Sequence, residues 1–209
     1  MTTDSIIFDV DGTLWDCTDT VARAWSDLFR GEPDLDLQIT GDDLKKLFGK
    51  LLDEIGAILF AGCSPERRNE LLEKCFIAED EALKKNPPLP YEGLEDTLRV
   101  LSARFPLYIV SNCQAGYIER FLEATGLGHY FSGHLCPGDT GRAKADNIRT
   151  VVRENGLSAA VYVGDTDGDC QAAHEAGVPF IHAAYGFGKT EQADYVIHSI
   201  RELPALLEA

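Results

Sequence analysis

Ser5-Ile6-Ile7-Phe8-Asp9-Val10-Asp11-Gly12-Thr13-Leu14 is the stretch that decides how this chain is read. Residues 5–8 are apolar-leaning and read as a short buried strand. Two carboxylates two positions apart end the run, and a glycine then lets the backbone turn. Aspartates at the C-terminal end of a buried strand are costly unless something compensates them. A divalent cation is the simplest compensation. The stretch therefore predicts a reactive acidic site at the mouth of an α/β sheet.

The rest of the composition narrows the possibilities. The 209 residues suffice for one well-cored domain, or for one domain carrying a smaller insert. A formal charge of −16 argues against a nucleic-acid surface, because phosphate backbones need basic patches. It does not exclude an anionic small substrate, since a metal ion and one or two lysines reverse the field locally. No apolar run approaches the roughly 20 residues that span a bilayer. The sequence enters a strand almost at once, so no secretory signal is expected. The six cysteines (Cys17, Cys63, Cys75, Cys113, Cys136 and Cys170) are scattered and form no C-x-x-C pair. Free thiols in a reducing cytoplasm are the expectation.

Outward from the first strand the pattern turns helical. Val21, Ala24, Trp25, Leu28 and Phe29 fall at helical spacing over 18–29, with Thr18 as the expected N-cap. A second helix is expected over 41–48, broken by Gly49, and a third over 51–60. Ser64-Pro65-Glu66 opens a fourth that runs to about residue 85. Asn86-Pro87-Pro88-Leu89-Pro90 ends it and predicts a stiff, extended return strand. Beyond Gly93, helices over 93–103, 115–125, 145–154 and 169–176 alternate with strands over 107–110, 160–163 and 179–181. A short strand at 195–197 and a final helix follow. Such alternation predicts an α/β fold: a Rossmann-like, three-layer parallel-sheet core with a small all-α unit inserted after the first strand. The core would comprise 1–16 and 87–209, the insert 17–86, and their two connections would form a hinge.

In an open parallel sheet, ligands bind at the C-terminal strand ends. Asp9 and Asp11 end the first strand, and Ser111-Asn112 the second. The third runs into Gly164-Asp165-Thr166-Asp167-Gly168-Asp169, and Lys144 opens a helix after the Gly-rich 137–141. Neither acidic run is a calcium loop: the sixth and twelfth positions from Asp9 are Leu14 and Thr20, and from Asp165 they are Cys170 and Ala176. A lone Ser-Asn after a strand is usually a helix cap, and a lone lysine on a helix is usually solvated. Their joint occurrence in this order is what singles them out.

Taken together, these residues resemble the haloacid dehalogenase superfamily of phosphohydrolases. Asp9-Val10-Asp11-Gly12-Thr13, Ser111, Lys144 and Gly164-Asp165 through Asp169 match its four ordered motifs. The helical insert resembles the small cap of the phosphoglycolate phosphatase-like and β-phosphoglucomutase-like branch. Tyr185-Gly186-Phe187-Gly188 carries a weaker, local likeness to the end of phosphoglycolate phosphatase-like proteins. The resemblance implies a nucleophilic Asp9 forming an aspartyl phosphate, with Asp11 as general acid and then base. It implies Mg²⁺ held by Asp9, the backbone carbonyl of Asp11 and Asp165, with Asp169 either ligating through water or orienting Lys144. Lys144 would offset the charge of nucleophile and phosphate, Ser111 and Asn112 would hold phosphate oxygens, and the cap would close over the pocket.

Substrate choice is then expected in the cap, where Gly49 precedes Lys50. A cationic Lys50 would suit a small phosphorylated metabolite with a second anionic group, whereas Lys45 and Lys46 read as surface residues. The resemblance leaves open a sugar-phosphate mutase, which would share the nucleophile, and a phosphonate hydrolase or a non-catalytic regulator. Thr13 favours a phosphatase over a mutase, and Asp11 disfavours carbon–halogen hydrolysis. A cytoplasmic monomer or weak homodimer with no nucleic-acid or membrane partner is the expectation.

Overall fold

Short apolar runs build the sheet. In the computed structural model, which describes residues 2–208, the strands are β1 (Ser5–Phe8), β2 (Leu107–Val110), β3 (Phe131–Leu135), β4 (Ala160–Gly164), β5 (Phe180–Ala183) and β6 (Tyr195–Ile197). All pair in parallel, in the order β3-β2-β1-β4-β5-β6. The inner strands β1, β2, β4 and β5 are buried throughout. They read as continuous apolar runs because helices cover both faces.

The side-chain alternation of the strands sorts the helices into layers. Ile6, Phe8, Ile109, Val161 and Val163 share a core with α5 (Leu94–Ser102), α6 (Tyr117–Thr125) and α10 (Leu203–Glu208). Ile7, Tyr108, Val110, Tyr162 and Phe180 face the other way, against α8 (Lys144–Glu154) and α9 (Asp167–Ala176). A four-residue helix, α7 (Pro137–Thr140), leads into α8.

Between β1 and β2 the chain forms α1 (Thr18–Phe29), α2 (Gly41–Lys45), α3 (Leu52–Leu59) and α4 (Pro65–Lys85). The apolar face of α1 packs on α4, and the Trp25 indole donates to the Cys75 carbonyl at 3.1 Å. The core runs without a break from the sheet into these helices. The chain leaves and returns at one place: Trp15 bridges Pro90, and the Tyr91 N–H donates to the Leu14 carbonyl. Trp15 packs edge-on against Phe121 of α6 at 5.0 Å, anchoring the crossing to the core.

Several local expectations are corrected. Cys17, not Thr18, is the N-cap of α1; the Asp16 carboxylate accepts from the Thr18 N–H and hydroxyl. The second helix ends at Lys45, and residues 46–48 form turns before Gly49 (φ +87°) reverses the chain. The proline segment makes a single bridge rather than a strand, since proline offers no N–H to a ladder. The strand β3 and the short α7 were not expected. The helix read from residue 169 begins at Asp167, because Thr166 caps it in a reciprocal box with Asp169.

Candidate active site

The strand order reverses at β1, which has β2 on one side and β4 on the other. The crevice at such a switch point opens past the carboxyl ends of the central strands. Asp9 follows β1 and Asp165 follows β4, and the Asp9 N–H still donates to Val163 of that neighbour at 2.9 Å. Three buried carboxylates, Asp9, Asp165 and Asp169, bring oxygens within 4.8 Å of one another. One cation meets them: Lys144 Nζ, itself buried at the first position of α8, lies 2.9 Å from Asp9 Oδ1 and 2.5 Å from Asp169 Oδ1.

The electrostatics follow from this count. Burial alone would pull Lys144 down, but Asp169 and Asp9 more than offset it and hold the ammonium charged well above its usual range. Burial also pushes Asp169 up, yet Lys144 and the Thr166 hydroxyl and N–H bring it below the usual carboxylate range. Asp9 is pushed up to about 7 by burial, against the pull of Lys144. Asp165 is pushed well up by burial and by the neighbouring Asp169 and Asp9. One lysine does not balance three carboxylates.

The residues suit a divalent cation. Asp165 Oδ2 accepts the Phe187 N–H at 2.6 Å and, at longer range, the Gly188 N–H. Asp165 Oδ1 is buried with no hydrogen-bond partner. A buried carboxylate oxygen left bare costs several kcal/mol by order of magnitude unless a cation or donor meets it. Asp9 and Asp165, with the Asp11 carbonyl, which receives no backbone N–H among the described residues, make an all-oxygen donor set. Asp169 is otherwise engaged: Oδ1 takes Lys144, while Oδ2 takes the N–H groups of Asp165 and Thr166 and the Thr166 hydroxyl. Its geometry is that of an orienting group for Lys144.

Two glycines let this cluster close. Gly12 turns at φ +79°, and a Cβ there would sit 2.2 Å from Asp165 Oδ2. Gly186, in the loop whose N–H groups reach Asp165, would place a Cβ 2.4 Å from the Asp165 Cβ. The Tyr185-Gly186-Phe187-Gly188 stretch is therefore a wall of the site, fixed by the Tyr185 hydroxyl donating to the Thr13 carbonyl at 2.8 Å.

The Asp11 carboxylate stands apart from the trio. Its Oδ1 accepts from the Tyr117 hydroxyl at 2.6 Å, the Trp15 indole at 3.0 Å and the Cys17 thiol at 3.3 Å. Burial pushes Asp11 up to about 6, while these donors pull it back. Sequence reasoning missed all three donors. Trp15 and Tyr117 look like ordinary core aromatics in the sequence, with nothing to mark their polar ends.

The remaining candidates diverge. Ser111 is buried at the end of β2 and lines the cavity over Asp9 and Asp11. Asn112 lines it too, and one N–H of its Nδ2 donates to the Gly49 carbonyl of the helical unit at 2.9 Å. The following helix, expected from about 115, begins at Tyr117, past an intervening loop. Lys50 does not line the cavity. It lies in an adjoining, open cleft that shares Phe48, Gly49 and Asn112 with it, beside Lys45, Lys46 and Lys189.

Comparison with known proteins agrees with this geometry. The family model described as haloacid dehalogenase-like hydrolase matches residues 6–183. A phosphoglycolate phosphatase of Agrobacterium fabrum is 31% identical over 217 aligned residues, covering 97% of this chain and 91% of that protein. Among solved structures, a haloacid dehalogenase-like hydrolase from Streptococcus pneumoniae superposes with a TM-score of 0.82 at 25% identity, covering 98% of each chain. A predicted phosphoglycolate phosphatase from Haemophilus somnus shares the fold, with a TM-score of 0.86 at 21% identity over 99% of each chain.

Proposed function

The chain belongs to the haloacid dehalogenase-like hydrolase family, and from that premise we propose that it is a Mg²⁺-dependent phosphatase acting on a small phosphorylated metabolite through an aspartyl phosphate on Asp9. The observation that carries the reading is the imbalance at the switch point: three buried carboxylates, one buried lysine, and an Asp165 oxygen with no partner.

In the first half-reaction an Asp9 oxygen attacks phosphorus. The bond from phosphorus to the leaving oxygen breaks, and Asp11 gives that oxygen its proton. In the second, Asp11 takes a proton from a water whose oxygen attacks phosphorus, and the Asp9 carboxylate is released. A carboxyl near pKa 6 suits both duties, because it changes state close to neutral pH. Tyr117, Trp15 and Cys17 keep Asp11 aimed through both steps. Lys144, held by Asp169, faces the nucleophile and offsets the charge brought by a phosphate. Mg²⁺ held by Asp9, Asp165 and the Asp11 carbonyl would neutralise the phosphoryl oxygens and allow an anionic nucleophile to approach them.

The test is phosphate release from acetyl phosphate and a panel of phosphoesters. Turnover is expected with Mg²⁺, to be absent with excess EDTA, and to fall by at least about 10³-fold in Asp9→Asn. Turnover that survives in Asp9→Asn would remove the covalent route. Conversion of β-glucose 1-phosphate without net phosphate release would point to a mutase instead.

A further inference from the structure

The space over Asp9 and Asp11 is a narrow cavity of about 30 Å³, so only a compact group fits there. The helical unit roofs it with Trp25, Phe48, Ile55 and Phe76. No lysine or arginine lines it. The nearest cation described above, Lys144, is already committed to Asp9 and Asp169. The cavity thus lacks the charge that would hold a second anionic group beside the phosphate.

Two polar groups in it can accept hydrogen bonds from a ligand. Glu79 of α4 is 4% exposed, and its one hydrogen bond among the described residues comes from the Gln114 amide, at 3.1 Å. Asn112 Oδ1 is buried and has no partner. The orientation of that amide is fixed by chemistry, since turning it over would set its oxygen against the Gly49 carbonyl that Nδ2 now meets. Both groups line the same cavity, one from the cap and one from the core. Burial pushes Glu79 up to about 8, as expected of a carboxyl enclosed without a compensating charge.

Resting on the phosphatase reading above, we propose that this cavity selects the alcohol half of the substrate: a compact, neutral or cationic group that donates hydrogen bonds, through a hydroxyl or an ammonium, to Glu79 and Asn112 Oδ1. A leaving group bearing a carboxylate or a second phosphate is disfavoured. It would be enclosed beneath the apolar roof with no cation to receive it. A buried, unpartnered acceptor such as Asn112 Oδ1 discriminates against groups that cannot donate, because it then stays bare. The selectivity therefore differs from the one Lys50 suggested in the sequence.

The experiment compares kcat/KM of the wild-type protein with Mg²⁺ for glycerol 3-phosphate, phosphoethanolamine and phosphoglycolate, with acetyl phosphate as a reporter of phosphoryl transfer. At least one donor-bearing ester is expected to exceed phosphoglycolate about tenfold or more, and which of the two does so separates hydroxyl from ammonium. Phosphoglycolate equal to or better than both overturns the proposal while leaving the phosphatase reading intact. No phosphate from any compound, acetyl phosphate included, overturns the phosphatase reading itself. In Glu79→Gln the preference over phosphoglycolate is expected to shrink about tenfold; an unchanged ratio removes Glu79 from the assignment. The wild-type panel decides the main point even where that variant folds poorly.

Discussion

Asp165 Oδ1 and Glu79 are two buried carboxyl groups left with too few partners, and each makes a measurable demand on the protein. For Asp165 the demand is a cation. Mg²⁺ is expected to raise Tm in the absence of substrate: saturation to about 100 times Kd adds roughly 2.7 kcal/mol. In a chain of this size that is a shift of several degrees. EDTA should reverse the shift and Asp165→Asn should abolish most of it, which differential scanning fluorimetry would show. For Glu79 the demand is a proton. Its folded value, about 8, lies above the ordinary 4.5, so the folded protein holds a proton that the unfolded chain releases. Stability from this group is complete below about pH 4.5 and is lost as pH rises through about 8, a loss of order a few kcal/mol. Asp9 and Asp165 titrate in the same sense without metal, so the comparison must be made against the variant. The fall in Tm between pH 5 and pH 8.5 should be several degrees smaller in Glu79→Gln than in the wild type. The polar residues at strand ends were legible in the sequence because aspartate after an apolar run is costly. Glu79 was also within reach: Leu72, Cys75 and Leu83 place it on the buried stripe of α4, where a carboxylate is out of place. Loop position alone did not say which of two adjoining clefts Lys50 would line.

Turns and caps, rather than strands and helices, hold the carboxylates of the site in register. The turn at Gly12 brings the first motif against the fourth, and the Thr166 box both starts α9 and fixes the Asp169 oxygens. Gly12→Ala meets two obstacles at once, a left-handed backbone and an Asp165 oxygen in the way of its Cβ. A loss of more than about 1 kcal/mol in stability is expected from the backbone alone. A larger proportional loss of activity should accompany it; denaturant melts and initial rates of the same preparation would check this. Elements with strong internal signals were read to within a residue or two, as at 18–29 and 107–110. β3 escaped because Phe131-Ser132-Gly133-His134-Leu135 is a half-buried edge with no apolar run. The start of α9 was misplaced because the Thr-x-x-Asp spacing of its capping box was read as acidic chemistry alone.

Across the whole molecule, charge is divided. The chain carries a formal −16, yet four lysines, Lys45, Lys46, Lys50 and Lys189, border the cleft that opens beside Gly49 and Asn112. Lys45 and Lys46 are partly neutralised by Asp16, Asp42 and Asp43. Lys50 and Lys189 form no ion pair among the described residues. Asp42, Glu54 and Asp167 line the cleft as well, which leaves a small excess of positive charge there. If a phosphorylated substrate enters by this cleft, the lysines would act on encounter rather than on choice. Lys50→Ala combined with Lys189→Ala is expected to lower kcat/KM severalfold at about 20 mM salt. The difference should vanish near 0.5 M, where the screening length is only a few ångströms. The ranking of substrates should be unchanged, as steady-state rates across a salt series would show.

The order of the sheet has one more consequence, for how the protein comes into being. β1, which delivers Asp9, lies inside the sheet, but Ile6 pairs with Leu107 on one side and with Val161 on the other. On the ribosome, therefore, the strand with the greatest need of neighbours waits longest for them, while α1 to α4 already have local partners. Loop closure on that scale is slow and leaves an unpaired apolar edge exposed meanwhile. The helices between β1 and β2, which share an unbroken apolar core with the sheet, are the first elements synthesised that can cover part of that apolar surface.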